Sequence, residues 1–217
     1  AQQLADFVDH VIEETNAAKV NLIAHSMGGL DARVLVSQLG YGDRIASLTT
    51  VATPHRGSPV ADAIVGSLTF VGLEHLVGDA VGGFVALVDG DEQEALETAQ
   101  ALTTGAAEDF NAANPDDPRV AYFSVVARTS ADPFCVFKRD KDCVDPTLLG
   151  SYLFLRAVAG ANDGMVPRSS ARWGEVVADV PADHLNEVGH PLGVVGDAFH
   201  PWDFYAGHAR FLHARGF

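Results

Sequence analysis

Hydrophobic residues recur along the chain with two alternating spacings. Near the start they follow the period of a helix, at Leu4, Phe7, Val8, Val11 and Ile12. The run KVNLIAH at 19–25 is short and apolar, which is typical of a buried strand. The stretch GGLDARVLVSQL at 28–39 returns to helical spacing, and Gly40 is a natural place for that helix to end.

The same alternation continues through the chain. A second buried strand within 44–58 ends in a Pro/Gly loop, and RVAYFSVVAR at 119–128 predicts a third strand. SYLFLRAV at 151–158 fits either a fourth strand or a helix, and residues 201–217 predict a closing helix with Pro201 in its first turn. Strands alternating with helices predict an α/β fold with a mainly parallel sheet and helices on both faces.

The middle of the chain has a different character. Residues from about 59 to 114 form helical segments punctuated by glycine, and DGDEQEALETAQAL at 89–102 carries its acidic residues near a helix N-terminus. The most apolar part, 67–88, is interrupted by charged and polar residues and by glycines, so we expect a cap over a site, not a transmembrane segment. We predict one domain, 1–217, with this lid or cap inserted at about 59–114.

Composition restricts the classes of partner. The chain has 217 residues, of which 47% are hydrophobic and 20% charged, as in a globular domain with a sizeable core. The net charge of −15 argues against nucleic acid and anionic membranes as electrostatic partners. Cys135 and Cys143 lack the spacing of a zinc site and predict a local disulfide of an exported protein, the alternative being two reduced thiols.

One serine stands between a predicted strand and a predicted helix. Ser26, in AHSMGG, is flanked two positions away by the small residues Ala24 and Gly28, as in the nucleophile elbow of α/β-hydrolases. Such a turn lifts the hydroxyl above the sheet, and the backbone N–H of Met27 then becomes an oxyanion donor. The alternative is an ordinary strand–helix turn with an incidental hydroxyl.

A serine nucleophile needs a histidine base and an acid that orients it, in the chain order Ser, acid, His for this fold. Asp163 lies in a glycine-flanked turn after an apolar run, and His184 follows 21 residues later (184 − 163) in a loop. The rivals to this pair are Asp183, His190 and His200. His25 adjoins the serine, but alternation along a strand predicts that it points to the opposite face.

The chain resembles the secreted true lipases of the pseudomonad and Burkholderia type. The resemblance rests on four stretches: KVNLIAHSMGG, VATPHRGSPVAD, ANDGMVPRSSARWGEVV and DHLNEVGHPLGV. It implies an α/β-hydrolase that hydrolyses triacylglycerol through an acyl-enzyme, with Ser26 as nucleophile, His184 as base and Asp163 as its partner. It also implies a secreted enzyme whose ester substrate meets it at a lipid–water interface. The helical region 67–102 would contain the lid.

Other functions of the same fold stay open at this point. A polyester depolymerase or an acyltransferase would use the same triad, because water and alcohols attack the same acyl-enzyme. A catalytically silent binding module is a third possibility, which the presence of all three triad residues in the right order opposes.

The resemblance also implies a structural calcium ion near the histidine loop. Its acidic ligands align with Asp145 and with Asn186, and its two backbone carbonyls align with His190 and Val194. Calcium accepts amide and carbonyl oxygens as well as carboxylates, although an asparagine at 186 removes one negative charge. The alternative is that Asp145 only caps a turn before Pro146.

Two departures from the family pattern are visible. One cysteine of the long-range disulfide of the family aligns with Ser169, so the pair Cys135 and Cys143 is not that bridge. The segment that precedes the elbow in the family, with its first strand and a loop that supplies an oxyanion donor, is not found before Ser26. We therefore expect an N-terminal segment of the same polypeptide, including strands of the sheet, to be missing from this sequence.

Overall fold

The computed structural model describes residues 1–66, 92–132, 142–190 and 198–217. Its centre is a four-stranded sheet in the order β1-β2-β3-β4, and all three neighbouring pairs are parallel. The strands are β1 (Val20–His25), β2 (Ile45–Val51), β3 (Ala121–Ala127) and β4 (Glu175–Val180). The parallel sheet was predicted from the sequence, and so were its first three strands. The expectation that the first strand is buried is wrong, because β1 lies at the edge of the described sheet and none of its residues is buried in the described structure.

Helices connect and cover these strands, in the order α1 (Gln2–Thr15), α2 (Gly28–Ser37), α3 (Pro59–Ile64), α4 (Glu92–Ala101), α5 (Thr104–Ala113), α6 (Leu149–Val158) and α7 (Pro201–Ala214). The ambiguous stretch 151–158 is helical and belongs to α6. Its buried residues Ser151, Phe154 and Leu155 recur at spacings of three and one, the period of a helix face.

Helices pack on the sheet through separate apolar clusters. One cluster joins α1 and α2 to β1 and β2, with Val8, Leu35 and Leu48 buried at its centre. Another joins β2, β3 and β4 to the region of α7 through Val51, Val125 and Phe199. A third gathers α3, α4 and α6 with Met165 and Val166, next to the ends of the strands.

A buried cation links α2 to α5 and to the segment before β4. The Arg33 guanidinium donates to the side chain of Asn111 at 2.6 Å and to the carbonyl of Asn114 at 2.8 Å, and it lies 3.8 Å from the centre of the Trp173 ring. Burial lowers the pKa of Arg33, and the charge of Asp116 opposes this effect only in part. Because α2 begins just after Ser26, Arg33 anchors the helix that supports the serine.

The strand β1 forms one edge of the described sheet. It pairs with β2 on one side, and no other described strand pairs with it. Ile23, near the middle of β1, keeps 39% of its surface exposed.

Through the described ranges, no helix has the length and apolar character needed to cross a membrane. The apolar stretch 67–88 and Cys135 lie outside the described residues, so the lid and the local disulfide stay predictions.

Candidate active site

Ser26 follows β1 directly, at the carboxyl end of the sheet. Its φ of 53° lies in the left-handed region, which is unfavourable for a residue with a side chain and is common at functional turns. Hydrogen bonds hold this conformation: the Ser26 N–H donates to Val51 O, and the Thr53 hydroxyl donates to Ser26 O at 2.7 Å. The serine therefore sits on a strained strand–helix turn, as the sequence pattern predicted.

The closest packing at this turn is at Gly29, one position beyond the glycine that the sequence pattern singled out. A Cβ at Gly29 would come within 3.0 Å of three side-chain atoms of Thr53. A Cβ at Gly28 would have no neighbour within 4 Å. The helix α2 approaches the loop after β2 most closely at Gly29, so this is the position that must stay small.

Two glycine substitutions test this packing. We expect Gly29→Ala to destabilise the fold by about 1–3 kcal/mol, because Thr53 has to move. We expect Gly28→Ala to leave stability unchanged or slightly raised, since alanine favours a helix. Thermal unfolding of the two variants beside the wild type measures the difference. Equal melting temperatures for the two variants would contradict the packing described here.

His184 joins the serine to the acid. Its Nε2 lies 2.9 Å from Ser26 Oγ, and its Nδ1 lies 2.9 Å from Asp163 Oδ2. The other carboxylate oxygen of Asp163 accepts the backbone N–H groups of Met165 and Val166 at 2.8 and 2.6 Å. Burial alone would raise the pKa of Asp163, but His184 and these two amides outweigh it and hold the pKa below its usual value. The predicted triad residues are brought together in one hydrogen-bonded line.

The rival residues take other positions. Asp183 accepts the backbone N–H groups of Leu185 and Asn186, so its carboxylate shapes the loop after His184. His200 is exposed and precedes the first turn of α7. His190 lines the cavity next to the serine, yet the described hydrogen bonds of Ser26 Oγ include only the one to His184.

Two further side chains, those of His25 and Glu187, lie beside the triad and were not predicted as site residues. They are within hydrogen-bonding distance of each other. Nε2 of His25 is 3.0 Å from Oε2 of Glu187, and the His25 ring centre is 4.5 Å from that of His184. The expectation that His25 points away from the site is wrong, because the left-handed turn at Ser26 ends the regular alternation of the strand. Glu187 is fully buried and lies three residues after His184.

These two groups also have shifted pKa values. Burial, and then the nearby His184, lower the pKa of His25 to about 3, so its imidazole is neutral. Burial, followed by the charge of Asp163, raises the pKa of Glu187 well above its usual value. The spacing of three residues between His184 and Glu187 was the one available signal in the sequence, and alone it does not distinguish a site residue from a packed one.

A cavity of about 470 Å³ opens onto Ser26 and His184. Most of its wall is apolar, with Val60, Leu102, Val166, Leu185 and Val188 among its lining residues. Met27 lines it too and stands at the N-terminus of α2, so its backbone N–H lies at the positive end of that helix. The site thus combines a hydroxyl, a base and a helix N-terminus under an apolar pocket.

The predicted calcium ligands that the structure describes are Asp145, Asn186 and His190. One carboxylate oxygen of Asp145 accepts the N–H and the hydroxyl of Thr147 at 2.8 and 2.6 Å, so Asp145 does cap the turn. The amide nitrogen of Asn186 donates to Asp142 at 2.8 Å. His190 donates its N–H to the carbonyl of Leu185, and Val194 lies outside the described residues.

The fold and this arrangement are those of a serine hydrolase of the α/β type. The family model described as the alpha/beta hydrolase fold matches residues 2–128. A triacylglycerol lipase of Pseudarthrobacter phenanthrenivorans is 30% identical over 238 residues, which cover 90% of this chain and 74% of that protein. The chain belongs to the α/β hydrolase family, within which it is related to bacterial lipases.

Two further similarities agree with this assignment. Triacylglycerol lipase 2 of Saccharomyces cerevisiae is 32% identical over 196 residues, covering 86% of this chain and 51% of the yeast protein, so the chain spans about half the length of that relative. The crystal structure of Bacillus licheniformis lipase BlEst2 in mature form has a TM-score of 0.63 and 18% identity, covering 94% of this chain and 70% of that one. The structural similarity shows the fold, and the sequence relatives show the α/β hydrolase family.

Proposed function

We propose that this chain is the larger part of a carboxylic ester hydrolase that acts on triacylglycerols through an acyl-enzyme. The observation that carries the proposal is the continuous line from Ser26 Oγ through His184 to Asp163, with both distances at 2.9 Å. The lipase relatives and the apolar cavity over the serine support a lipid ester as substrate.

The chemistry follows from the protonation states of the three groups. His184 takes the proton of Ser26 as the hydroxyl attacks the ester carbonyl, and then gives it to the departing alcohol. Asp163 holds the proton on Nδ1, which keeps Nε2 free to act as the base. Water then attacks the acyl-enzyme with His184 again as base, which releases the fatty acid and restores Ser26.

The negative charge on the carbonyl oxygen needs hydrogen-bond donors. The N–H of Met27, at the start of α2, is the donor that the described residues supply, and the helix dipole adds to its effect. We assign the second donor to a segment of the polypeptide outside this sequence that pairs with β1. The open edge of β1 and the greater length of the relatives support this assignment.

This proposal differs from its alternatives in the ester that is cleaved and in the molecule, water or an alcohol, that accepts the acyl group. A polyester depolymerase would prefer polymer films to emulsified triacylglycerol, and an acyltransferase would form new esters when alcohol is added. Rates on a panel of triacylglycerols of increasing acyl length, with and without added alcohol, separate these functions.

We propose that the region 59–114 acts as the lid, and that the protein is exported with Cys143 in a local disulfide.

Labelling with a long-chain alkyl phosphonate tests the proposal directly. We expect one adduct, located on Ser26 by peptide mapping, because only a serine with a positioned base reacts at a useful rate. The Ser26→Ala variant is the control and should take no label. Absence of an adduct on folded protein would instead support the silent binding module.

We also propose that calcium tethers the histidine loop. Three buried carboxylates, those of Asp142, Asp145 and Asp183, are connected near the loop by hydrogen bonds. Asp183 accepts the N–H of Asp145 at 2.7 Å, and Asp142 accepts the side-chain amide of Asn186 at 2.8 Å. This set of hard oxygen donors, with Asn186, fits calcium in its chemistry. The ion would offset their charge and hold the loop that carries His184.

Chelation tests the calcium proposal by stability. At calcium levels about 100 times its Kd, binding contributes about 2.7 kcal/mol, so a chelator should lower the wild-type Tm by about 5–10 °C. The effect should be much smaller in Asp145→Ala, which lacks a ligand. A chelator that lowers the Tm of both proteins equally would exclude a site at Asp145.

A further inference from the structure

Three side chains at the base of the cavity have the composition of a metal site that is separate from the calcium loop ligands. They are His25, His184 and Glu187, and one ligand atom from each lies within 4.8 Å of the others. Within the described part of the chain, no other set of three or more histidine, cysteine or acidic residues brings its ligand atoms within that distance. Two imidazoles with one carboxylate are the ligand set of many protein zinc sites.

The spacing of the ligand atoms suits a small tetrahedral ion. Bonds of 2.0–2.2 Å to nitrogen and oxygen place neighbouring ligand atoms about 3.3–3.5 Å apart in a tetrahedron. The present distances from Glu187 Oε2 are 3.0 Å to His25 Nε2 and 4.0 Å to His184 Nδ1. The first is about 0.3–0.5 Å shorter and the second about 0.5–0.7 Å longer than the tetrahedral value, and the His25–His184 pair lies within 4.8 Å, so the side chains have to move by several tenths of an ångström to bind the ion.

The carboxylate of Glu187 has an unused oxygen. Its side chain is fully buried beside the carboxylate of Asp163, and Oε1 accepts no hydrogen bond from a donor among the residues that the structure describes. Buried polar atoms without partners are rare and call for an explanation. An ion bound between Glu187 and the two imidazoles would be such an explanation, and the cavity lined by His25 and His184 gives it a path of entry.

We propose that His25, His184 and Glu187 form an inhibitory site for a divalent transition-metal ion such as Zn²⁺. The inference rests on the proposed function, because it concerns the same His184. Each ring nitrogen of His184 already forms a hydrogen bond of the triad, Nδ1 with Asp163 and Nε2 with Ser26. Whichever nitrogen binds the ion therefore loses its triad hydrogen bond. Metal binding therefore disables the base whichever nitrogen is used, and the fourth position is left to water.

The ligand chemistry separates this site from the proposed calcium site. Imidazole nitrogen binds zinc and copper well, whereas calcium takes oxygen ligands. An experiment in excess calcium therefore leaves the hard-oxygen loop occupied and reports on the histidine site. Excess calcium is needed because Asn186 of the calcium site and Glu187 of the histidine site are neighbours in the sequence.

Zinc binding is measured first, on the Ser26→Ala chain by titration calorimetry in calcium-containing buffer. We expect one Zn²⁺ per chain, and a His25→Gln change in the same background should weaken it by at least about 10-fold, since even outer partners of metal ligands contribute that much. His10→Gln is the matched control, because His10 is an exposed histidine on α1. It should bind zinc as tightly as its parent.

The second measurement is the rate of phosphonate labelling of Ser26 with and without zinc. Zinc should slow labelling at least 10-fold in the wild type and in His10→Gln, and much less in His25→Gln. If His25→Gln proves unstable, Glu187→Gln keeps the shape of the side chain and serves the same purpose. Visible absorption of Co²⁺ bound to Ser26→Ala then reports tetrahedral nitrogen and oxygen ligands.

The outcomes are distinct. Equal zinc affinity in the parent and His25→Gln would overturn the inference, and so would tight binding that leaves labelling unchanged. Failure of labelling in metal-free buffer would overturn the proposed function instead, while calorimetry would still decide whether the metal site exists.

Discussion

Replacing Ser26 by alanine is expected to lower ester turnover by about 10⁶-fold, since loss of the nucleophile in a triad has effects of that size. The fold should persist. The lost contact is one hydrogen bond from Oγ to His184, worth about 1 kcal/mol, and alanine meets the same left-handed strain as serine. Initial rates on an emulsified triacylglycerol, together with a thermal melt, measure both effects.

Ser37→Ala is the matched control for this variant. Ser37 is at the end of α2, where its hydroxyl donates to Arg33 O and to Asn114, away from His184. It should keep the rate of the wild type. Activity of more than a few per cent in Ser26→Ala, with Ser37→Ala unchanged, would show that another group is the nucleophile.

Replacing Asp163 by asparagine is expected to lower turnover by about 10⁴-fold. The shape of the side chain is kept, but its amide nitrogen favours the His184 tautomer with the proton on Nε2, where it blocks the attack. The backbone amides of Met165 and Val166 still find an oxygen acceptor, so stability should fall much less than activity. The measurement is kcat over a pH series, with the Tm recorded for each sample.

Asp183→Asn provides the comparison, because Asp183 was the rival acid and adjoins His184. Its carboxylate accepts backbone N–H groups and does not contact the imidazole, so we expect a lower Tm and a modest change in kcat. The double variant Asp163→Asn with Glu187→Gln tests whether Glu187, at 4.0 Å from His184 Nδ1, supports residual activity. A larger activity loss in Asp183→Asn than in Asp163→Asn would reverse the assignment.

The parts that the sequence predicted are those in which local pattern and chain order agree. The strands β1, β2 and β3 each contain a short run of hydrophobic residues, and β2 and β3 are mostly buried, so the sequence pattern alone indicates them. The serine and the acid could be placed because each follows a predicted apolar element, and the histidine because it follows the acid in the expected chain order. The strand β4 was missed, since Glu175 and Asp179 leave it only a very short apolar run.

The parts that could not be predicted depend on contacts between distant segments. Glu187 pairs with His25 across 162 positions, and nothing near either residue indicates the other. The requirement for Gly29 likewise arises from Thr53, which belongs to the loop after the next strand. Stretch 151–158 was ambiguous because a short apolar run has no clear period until its neighbours are known.

The long distance in sequence between Ser26 and His184 has a consequence for folding kinetics. The two side chains are 158 positions apart, and every strand of the described sheet lies between or beside them. Contacts of such high separation form late, because their loop-closure entropy has to be offset by earlier structure. Recovery of phosphonate reactivity after dilution from denaturant should therefore lag behind recovery of secondary structure, and a partly folded chain will already contain helices while it is still chemically inert.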